Sequence, residues 1–548
     1  MTEQSKRLAT ASEEALWRIF TVPEAPDSTL SIIEQNISQN LAGFLRESIV
    51  AVEKPLWQIE RDFQAHQIPT DPRFVSDYAE QLMQQLVAHS VHTAAPSFIG
   101  HMTSALPYFV LPLSKMMVGL NQNLVKIETS KAFTPLERQV LGMMHHLVYG
   151  EGESFYKKWM HSANHSLGAF CSGGTIANIT ALWIARNRLL KADGEFKGVA
   201  KEGLFRAMKH YGYEGLAVLV SERGHYSLGK AADLLGIGRE HLVPVQTDEN
   251  NKVRLDEMRR VAAELQSRNI KVMAIVGVAG TTETGNVDPL HQLADLAQEL
   301  GCHFHVDAAW GGATLLSDKY RQLLSGIERA DSVTIDAHKQ MYVPMGAGMV
   351  VFKHPSSAHV IEHHAEYILR KGSKDLGSQT LEGSRPGMAM LVHACLQVIG
   401  RKGYEILINR SLDKARYFAE LIRQHSEFEL ITEPELCLLT YRYVPAEVQA
   451  AMQNASAERL QKFNELLNGL TRFIQKRQRE EGLSFVSRTR IQPAQYHRHG
   501  TVVFRVVLAN PLTTDQILQD VLMEQQQIAA QDHEYLPKLL QLARDSAA

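Results

Sequence analysis

Lys339, Asp307 and His225 are the residues whose types and positions in this chain are best suited to chemistry. Each lies at or just beyond the end of a short apolar run. A lysine amine attacks carbonyl carbons, a carboxylate can keep a heterocyclic nitrogen protonated, and an imidazole can stack on an aromatic ring. Together the three groups indicate an enzyme whose aromatic cofactor is held by a lysine.

An alternation of apolar and amphipathic segments predicts the elements that position these residues. The apolar runs are residues 216–220, 272–276, 303–306, 332–335 and 348–352. Stretches of helical length lie between them, among them 255–266 and 289–300. Uninterrupted apolar runs suit strands buried on both faces, which predicts βαβ units and a mostly parallel sheet. Because ligands bind beyond the carboxyl ends of such strands, the groups at the ends of the runs should meet at one edge.

A glycine-rich segment upstream of these runs predicts a phosphate site. Gly173, Gly174 and Thr175 precede an apolar-periodic stretch, 179–188, that is typical of a helix. Small residues at a helix start leave backbone N–H groups free for an anion, and the helix dipole favours it. The segment matches neither nucleotide-binding glycine motif. A phosphate site, an amine, a carboxylate and an imidazole together form the set that pyridoxal phosphate requires.

The length of 548 residues and the changes of pattern predict three domains. We expect a helical N-terminal dimerisation segment in residues 1–95, a large α/β domain in 96–395, and an α+β domain with a helical tail in 396–548. The first segment has helical spacing at 16–20 and 78–87 but is too polar to form a core alone. It should therefore pack on a second subunit.

The C-terminal region alternates less regularly than the central one. Residues 434–441 and 501–508 are apolar runs that predict strands, and the charged stretch 457–481 predicts a long helix. This mixture is typical of a smaller α+β domain.

Composition limits the partners and the location of the protein. The net charge of −3 gives no basic field for nucleic acid. The most apolar stretch, 102–120, contains Pro107, Pro112 and Lys115, which argues against a membrane span. Four scattered cysteines and a polar start without an evident signal peptide favour the cytoplasm.

The motifs as a set resemble the group II pyridoxal-phosphate decarboxylases, the relatives of glutamate, aromatic amino-acid and cysteine sulfinate decarboxylases. The similarity lies in Gly173-Gly174-Thr175 with Asn178, His225-Tyr226-Ser227, Gly280-Thr281-Thr282, the segment 305–312 and Asp336-Ala337-His338-Lys339. It spans about residues 96–515. The resemblance implies a fold-type I large domain with a mostly parallel seven-stranded sheet between helices, pyridoxal phosphate as cofactor, and an obligate homodimer with the active site at or near the subunit interface.

The resemblance also implies roles for residues around the cofactor ring. Lys339 matches the lysine that holds the cofactor, and Asp307 matches the partner of the pyridine nitrogen. His225 matches the imidazole stacked on one face of the ring, and Ala309 matches the small residue packed on the other.

Further roles concern the phosphate. Gly174 and Thr175 match the phosphate-binding pair, and Asp336 and His338 match positions that help to hold the phosphate. Asp336 is an acid where relatives often have asparagine, and a carboxylate beside a phosphate would repel it. Ser384, in Gly383-Ser384-Arg385, matches a segment that reaches the phosphate of the neighbouring subunit.

Two residues match positions that contact the substrate in relatives. Arg505 matches the residue that meets the side-chain carboxylate in glutamate decarboxylases, and a guanidinium suits a carboxylate. His101 stands where animal glutamate decarboxylases have glutamine. The run 98–107 resembles bacterial aspartate 1-decarboxylases, which make β-alanine. We therefore expect aspartate as substrate, then glutamate, with cysteine sulfinate, diaminobutyrate or an aromatic amino acid as further alternatives.

The proton donor to the α-carbon stays open. Relatives usually place a tyrosine on a mobile loop, but residues 368–385 contain none and the nearest is Tyr367. The candidates are therefore Tyr367, Lys339, His225 or a different donor.

Other interpretations of these patterns compete with a decarboxylase. The scaffold also suits a carbon–carbon lyase or an aminotransferase, and a cofactor-binding protein without catalysis would carry the same motifs. Arg505 could form a structural ion pair. His161 and His165 have the i, i+4 spacing of metal ligands, but without the intervening glutamate or a third ligand an exposed helix is the better interpretation, and we predict no metal.

Overall fold

The computed structural model describes most of the chain, namely residues 29–45, 50–52, 54–365, 369 and 372–547. The predicted helical stretch at 16–20 and the candidate proton donor Tyr367 lie outside the described residues.

The strands of the described ranges form two sheets. In chain order they are β1 (Gly168–Cys171), β2 (Gly215–Ser221), β3 (Leu242–Val245), β4 (Ile270–Val278), β5 (His303–Asp307), β6 (Ser332–Asp336), β7 (Gly348–Phe352), β8 (Phe428–Thr432), β9 (Leu438–Tyr443), β10 (Ser487–Ile491) and β11 (Thr501–Val507). The large sheet has seven strands in the order β1-β7-β6-β5-β4-β2-β3, and the small sheet has four in the order β10-β11-β9-β8. In the large sheet β7 runs antiparallel to both neighbours, while the other pairs are parallel. The predicted mostly parallel seven-stranded sheet is confirmed.

Helices cover both faces of the large sheet and flank the small one. In chain order they are α1 (Thr29–Phe44), α2 (Leu56–Glu60), α3 (Val75–Gln85), α4 (Val110–Leu120), α5 (Phe133–Tyr149), α6 (Glu153–Trp159), α7 (Gly174–Leu189), α8 (Val199–Tyr211), α9 (Ser227–Leu234), α10 (Leu255–Ser267), α11 (Leu290–Leu300), α12 (Ala389–Gln424), α13 (Ala446–Gln453), α14 (Ala457–Glu481), α15 (Asp515–Ala529) and α16 (Tyr535–Ala547).

The large sheet separates two apolar cores because side chains alternate along each strand. On β2, Ala217 and Leu219 join the core that holds α10 and α11, while Leu216, Val218 and Val220 join the core under α7 to α9. All seven residues of β2 are buried. This two-sided burial is the reason why the strand sequence is continuously apolar.

The segments predicted as elements mostly match the observed ones. The five central runs lie in β2, β4, β5, β6 and β7, and the stretch 457–481 forms α14. The predicted strand at 434–441 is wrong in its start, since β9 begins only at Leu438. Glu435 instead leaves the sheet, accepts a hydrogen bond from Val287 N at 3.0 Å and pairs with Lys252 at 2.7 Å.

A long helix connects the two sheets. Helix α12 runs from Ala389 to Gln424 and is interrupted at Gly400, whose φ of 66° is left-handed. The predicted domain boundary at residue 395 falls inside this helix, shortly before the interruption. We keep the three-domain division as a proposal.

A buried ion pair fixes the segment that precedes α12. The Arg385 guanidinium donates to both carboxylate oxygens of Glu137 on α5. Glu137 is fully buried and the Arg385 side chain is only 7% exposed. In such a place the loss of one partner leaves the other charge without compensation.

We expect Glu137→Gln to lower the free energy of unfolding by about 3–5 kcal/mol, because Arg385 then keeps its charge in a buried site. The measurement is denaturant unfolding followed by circular dichroism. Asp318→Asn is the matched control, since the Asp318–Arg401 pair is largely exposed, with side chains 65% and 53% accessible; it should change stability by under about 1 kcal/mol. Equal effects of the two substitutions would contradict the prediction.

Candidate active site

One cavity of about 550 Å³ lies where the large sheet, the start of α7 and the small sheet meet. This volume is in the range of sites for small molecules. Its lining includes ten of the residues singled out from the sequence, namely His101, Gly174, Thr175, His225, Asp307, Ala309, Asp336, His338, Lys339 and Arg505. Ser384 is not among the lining residues.

Most of these residues come from the carboxyl edge of the large sheet. Strands β2, β4, β5 and β6 are parallel neighbours, so their carboxyl ends lie side by side. His225 follows β2, Asp307 ends β5, and Lys339 follows β6. Three distant stretches of sequence thus deliver their polar groups to a single cavity.

The start of α7 forms a small-residue cradle at this edge. Gly173 precedes the helix, and a Cβ added at Gly174 would lie 2.8 Å from Asp336 Oδ2 and 3.2 Å from the Ala309 Cβ. At Gly348 an added Cβ would lie 2.5 Å from Gly173 Cα. Only glycine fits at position 348, and a Cβ at position 174 would crowd the Asp336 carboxylate. The small residues leave the N–H groups of the helix start accessible to an anion.

Asp307 is a buried carboxylate, 5% exposed, whose two oxygens accept different hydrogen bonds. Asn178 Nδ2 donates to Oδ2 at 2.8 Å, and the backbone N–H of Ala309 donates to Oδ1 at 3.2 Å. These donors hold the carboxylate at the end of β5, where it lines the cavity.

His225 is held in one orientation beside the cavity. The Ser227 backbone N–H donates to its Nδ1 at 3.3 Å, and the Ser227 hydroxyl lies 2.8 Å from the same atom. Because a backbone N–H only donates, Nδ1 is an acceptor and the hydrogen of the neutral ring is on Nε2. Burial lowers the pKa of His225, and the nearby Lys339 lowers it further while Asp307 raises it.

Lys339 lies next to an acid. Its Nζ is 3.1 Å from Asp336 Oδ2, and His338 Nε2 is 3.6 Å from the same oxygen. The other oxygen, Asp336 Oδ1, is buried and has no hydrogen-bond partner among the described residues. Asp336 therefore places a negative charge between the lysine and the glycine cradle.

Arg505 reaches the cavity from β11 of the small sheet and is 8% exposed. Its Nε donates to the carbonyl oxygen of Thr282 at 2.6 Å and its Nη1 to that of Gly100 at 3.3 Å. Within the described ranges it forms no salt bridge, since Glu283 is engaged by Arg223 at 3.0 Å. Burial lowers the pKa of Arg505 to about 10, so the guanidinium stays charged at neutral pH.

His101 stands beside Arg505 in the cavity lining. Its Nδ1 lies 3.0 Å from the Thr103 hydroxyl. Burial lowers the pKa of His101, and the positive charges of Arg505 and Lys339 lower it further. The ring is therefore mostly neutral at pH 7 and can donate or accept a hydrogen bond.

Ser384 does not line this cavity. Its hydroxyl accepts a hydrogen bond from Asn123 Nδ2 at 3.0 Å, and the adjacent Arg385 is held by Glu137. The expectation that Ser384 serves a neighbouring subunit stays a prediction.

Several residues contribute to the site without a role predicted from the sequence. Asn178 and Ser227 hold Asp307 and His225, and Thr282 supplies a carbonyl to Arg505. Tyr226 and Met345 line the mouth and are 66% and 62% exposed. The sequence signal for Ser227 and Thr282 is their position just after a predicted strand, and that for Asn178 is its position three residues after Thr175 in the predicted helix.

The sequence predicts that His161 and His165 lie on an exposed helix and do not bind a metal ion. The expectation of a helix is wrong, because α6 ends at Trp159 and both histidines follow it in irregular structure. No group of three or more potential ligands in the described part of the chain is arranged to hold a metal ion.

None of the helices within the described ranges is long and apolar enough to cross a membrane.

The fold is shared with solved structures of pyridoxal-phosphate enzymes. A crystal structure of mouse CSAD superposes with a TM-score of 0.80, 22% identity and coverage of 92% of this chain and 99% of that one. A tryptamine-bound TDC of Oryza sativa, solved with PLP, gives a TM-score of 0.77 at 17% identity, covering 93% and 99% of the two chains. These likenesses establish a fold-type I enzyme architecture, as the sequence resemblance implied.

Sequence relatives identify the family. Residues 58–444 match the pyridoxal-dependent decarboxylase conserved domain. An aspartate 1-decarboxylase of Aliivibrio fischeri is 66% identical over 536 residues, 98% of this chain and 98% of the relative. Mouse cysteine sulfinic acid decarboxylase is 27% identical over 83% of this chain and 86% of its own. The chain belongs to the pyridoxal-dependent decarboxylase family and is a pyridoxal-phosphate-dependent carboxy-lyase, which excludes the aminotransferase and non-catalytic alternatives.

The position of Asp336 leads to a prediction about cofactor binding. Asp336→Asn should lower the Kd for pyridoxal phosphate about tenfold, because it removes a like charge beside the phosphate and frees the Lys339 amine. Absorbance titration of the cofactor-free protein measures it. Asp413→Asn, on the outer part of α12, is the control and should leave the Kd unchanged. A raised Kd in Asp336→Asn would show that the carboxylate supports binding.

Proposed function

We propose that this enzyme removes the α-carboxylate of L-aspartate and yields β-alanine and CO₂. The 66% identity to an aspartate 1-decarboxylase over almost the whole chain supports this substrate. The observation in the cavity that carries the proposal is the Arg505 guanidinium, which is buried, charged and held by carbonyl oxygens instead of a carboxylate. L-glutamate is the second candidate, since its side chain also ends in a carboxylate.

The residues of the cavity fit pyridoxal phosphate. The cradle of Gly174 and Thr175 would receive the phosphate, with His338 beside it. The Lys339 amine would hold the aldehyde carbon, and Asp307 would keep the proton on the pyridine nitrogen. His225 and Ala309 would pack on the two faces of the ring.

The chemistry divides between the cofactor and the protein. Bound pyridoxal phosphate supplies the electron sink for the pair left when the bond to the carboxylate breaks. Asp307 would keep the ring nitrogen protonated, and this would make the sink effective. Arg505 would bind the distal carboxylate and so orient the α-carboxylate for loss. The proton that replaces the departing CO₂ on the α-carbon would come from Lys339, from His225 or from a donor outside the described residues such as Tyr367.

A panel of aspartate, glutamate, cysteine sulfinate, tyrosine and diaminobutyrate, scored by product mass, tests the substrate. We expect aspartate to have the highest kcat/KM. Arg505→Gln should lower kcat/KM for aspartate about 100-fold or more, because a charge-assisted pair with the carboxylate is lost, and should leave the cofactor absorbance unchanged.

Arg488→Gln is the matched control, since Arg488 is an exposed arginine on the neighbouring strand β10. It should retain wild-type kcat/KM. The proposal would be contradicted by turnover of tyrosine alone. It would also be contradicted if Arg505→Gln were as active on aspartate as Arg488→Gln.

We further propose an obligate homodimer whose active sites lie at the interface. The cavity mouth is open at Tyr226 and Met345, which leaves two large apolar side chains exposed. Large apolar residues are also exposed elsewhere, with Ile68 of the N-terminal segment 93% and Tyr108, before α4, 86% accessible. Such surfaces are typical of regions covered by another subunit.

A cytoplasmic location is proposed as well, supported by four free cysteines.

Complementation tests whether Ser384 serves the neighbouring site. Chains with Ser384→Asp and chains with Lys339→Ala should each be nearly inactive, the first because a carboxylate repels the phosphate. Co-expressed, they should regain about a quarter of wild-type activity, since half the dimers are mixed and each has one intact site. Activity that stays at the level of two inactive separate variants would place Ser384 in its own subunit's site, and full activity of Ser384→Asp alone would place it in neither site.

A further inference from the structure

A chain of buried hydrogen bonds runs from Asp307 across the large sheet, away from the cavity. Asn178 Nδ2 donates to Asp307 Oδ2 at 2.8 Å and to Ser227 Oγ at 3.1 Å. On its other side, Asn178 Oδ1 lies 3.1 Å from His305 Nε2. Asn178 is 1% exposed and His305 is fully buried, so no solvent competes for these bonds.

The chain continues behind His305. Its Nδ1 lies 2.9 Å from the Ser332 hydroxyl and 3.1 Å from the Ser332 carbonyl oxygen. The same hydroxyl lies 2.8 Å from His303 Nε2, and His303 Nδ1 is 3.8 Å from Asp331 Oδ2. Burial lowers the pKa of His305 and of His303, so both rings are neutral at pH 7.

A neutral His305 has only one N–H, and its position decides how Asn178 is oriented. With the hydrogen on Nε2, the ring donates to Asn178 Oδ1, and the amide nitrogen faces Asp307. With the hydrogen on Nδ1, the amide would have to turn, and its oxygen would face the carboxylate at 2.8 Å as a second acceptor. The Ser332 carbonyl oxygen, 3.1 Å from Nδ1, would favour the second arrangement, but the Asp307 carboxylate only accepts and therefore requires the first. In that arrangement the Ser332 hydroxyl donates to Nδ1 and accepts from His303.

We propose that His305 is a positioning residue: it fixes the Asn178 amide so that it donates to both Asp307 and Ser227, and thereby sets the carboxylate and, through Ser227, the His225 ring. The inference rests on the proposed contact of Asp307 with the pyridine nitrogen. It assigns a function to a histidine that touches neither substrate nor cofactor in the proposed arrangement.

His305→Leu tests the proposal in the protein reconstituted with pyridoxal phosphate labelled with ¹⁵N at the ring. We expect the ring nitrogen resonance in solid-state NMR to move toward that of a deprotonated pyridine. The Kd for the cofactor should rise about tenfold to a hundredfold, the range for a lost hydrogen bond to a charged group. His305→Gln should restore both values to near wild type, since its amide N–H₂ can donate to Asn178 Oδ1 from a similar position.

Two further variants separate the possible outcomes. Asn178→Ala, on α7, removes the amide itself and should shift the ¹⁵N resonance as His305→Leu does, which provides the test if His305→Leu does not fold. Asp307→Asn probes the underlying contact: an unchanged resonance in this variant would overturn the proposed contact between Asp307 and the ring nitrogen. A shift in Asp307→Asn, together with wild-type resonance and Kd in both His305→Leu and Asn178→Ala, would overturn the positioning role alone.

Discussion

The burial of the Asp307 carboxylate is the constraint on which the rest of the site depends. A charge at the end of an interior strand is costly unless donors surround it. Two donors meet it here, the Asn178 amide and the Ala309 N–H. Asn178 lies on α7, the helix that also begins with the glycine cradle, so the same contact sets the distance between the phosphate site and the carboxylate. The groups proposed for the two ends of the cofactor are therefore positioned by a single helix.

This constraint explains why a central strand contains polar residues. Strand β5 lies between β4 and β6 and is fully buried, yet it carries His303 and His305. Apolar residues there would contribute more to burial, but they would leave the Asn178 oxygen without a donor. The Ser332 hydroxyl on β6 lies within hydrogen-bond distance of both imidazole rings. At these positions the sheet therefore has less apolar packing, and the Asn178 amide is held in one orientation.

Much of the fold and of the cofactor site could be predicted from the sequence, because parallel strands buried on both faces are continuously apolar and the residues at their carboxyl ends meet at one edge. Short or polar strands gave no such signal: β3 contains Pro244, and β10 alternates Ser, Arg and Thr. The partner of Arg505 could not be predicted either. Whether an arginine faces a carboxylate or a carbonyl depends on contacts such as Thr282, more than two hundred residues away in sequence.

The site thus separates two tasks between two parts of the chain. The groups proposed for the cofactor come from the carboxyl edge of the large sheet and from α7. The group proposed for the substrate side chain comes from β11 of the small sheet, and His101 comes from the segment before α4. Arg505 is hydrogen-bonded to the first part through the backbone carbonyl of Thr282, a contact that does not depend on side-chain identity. Changes at Arg505 or His101 can therefore alter which distal group is bound while Lys339, Asp307 and His225 keep their arrangement.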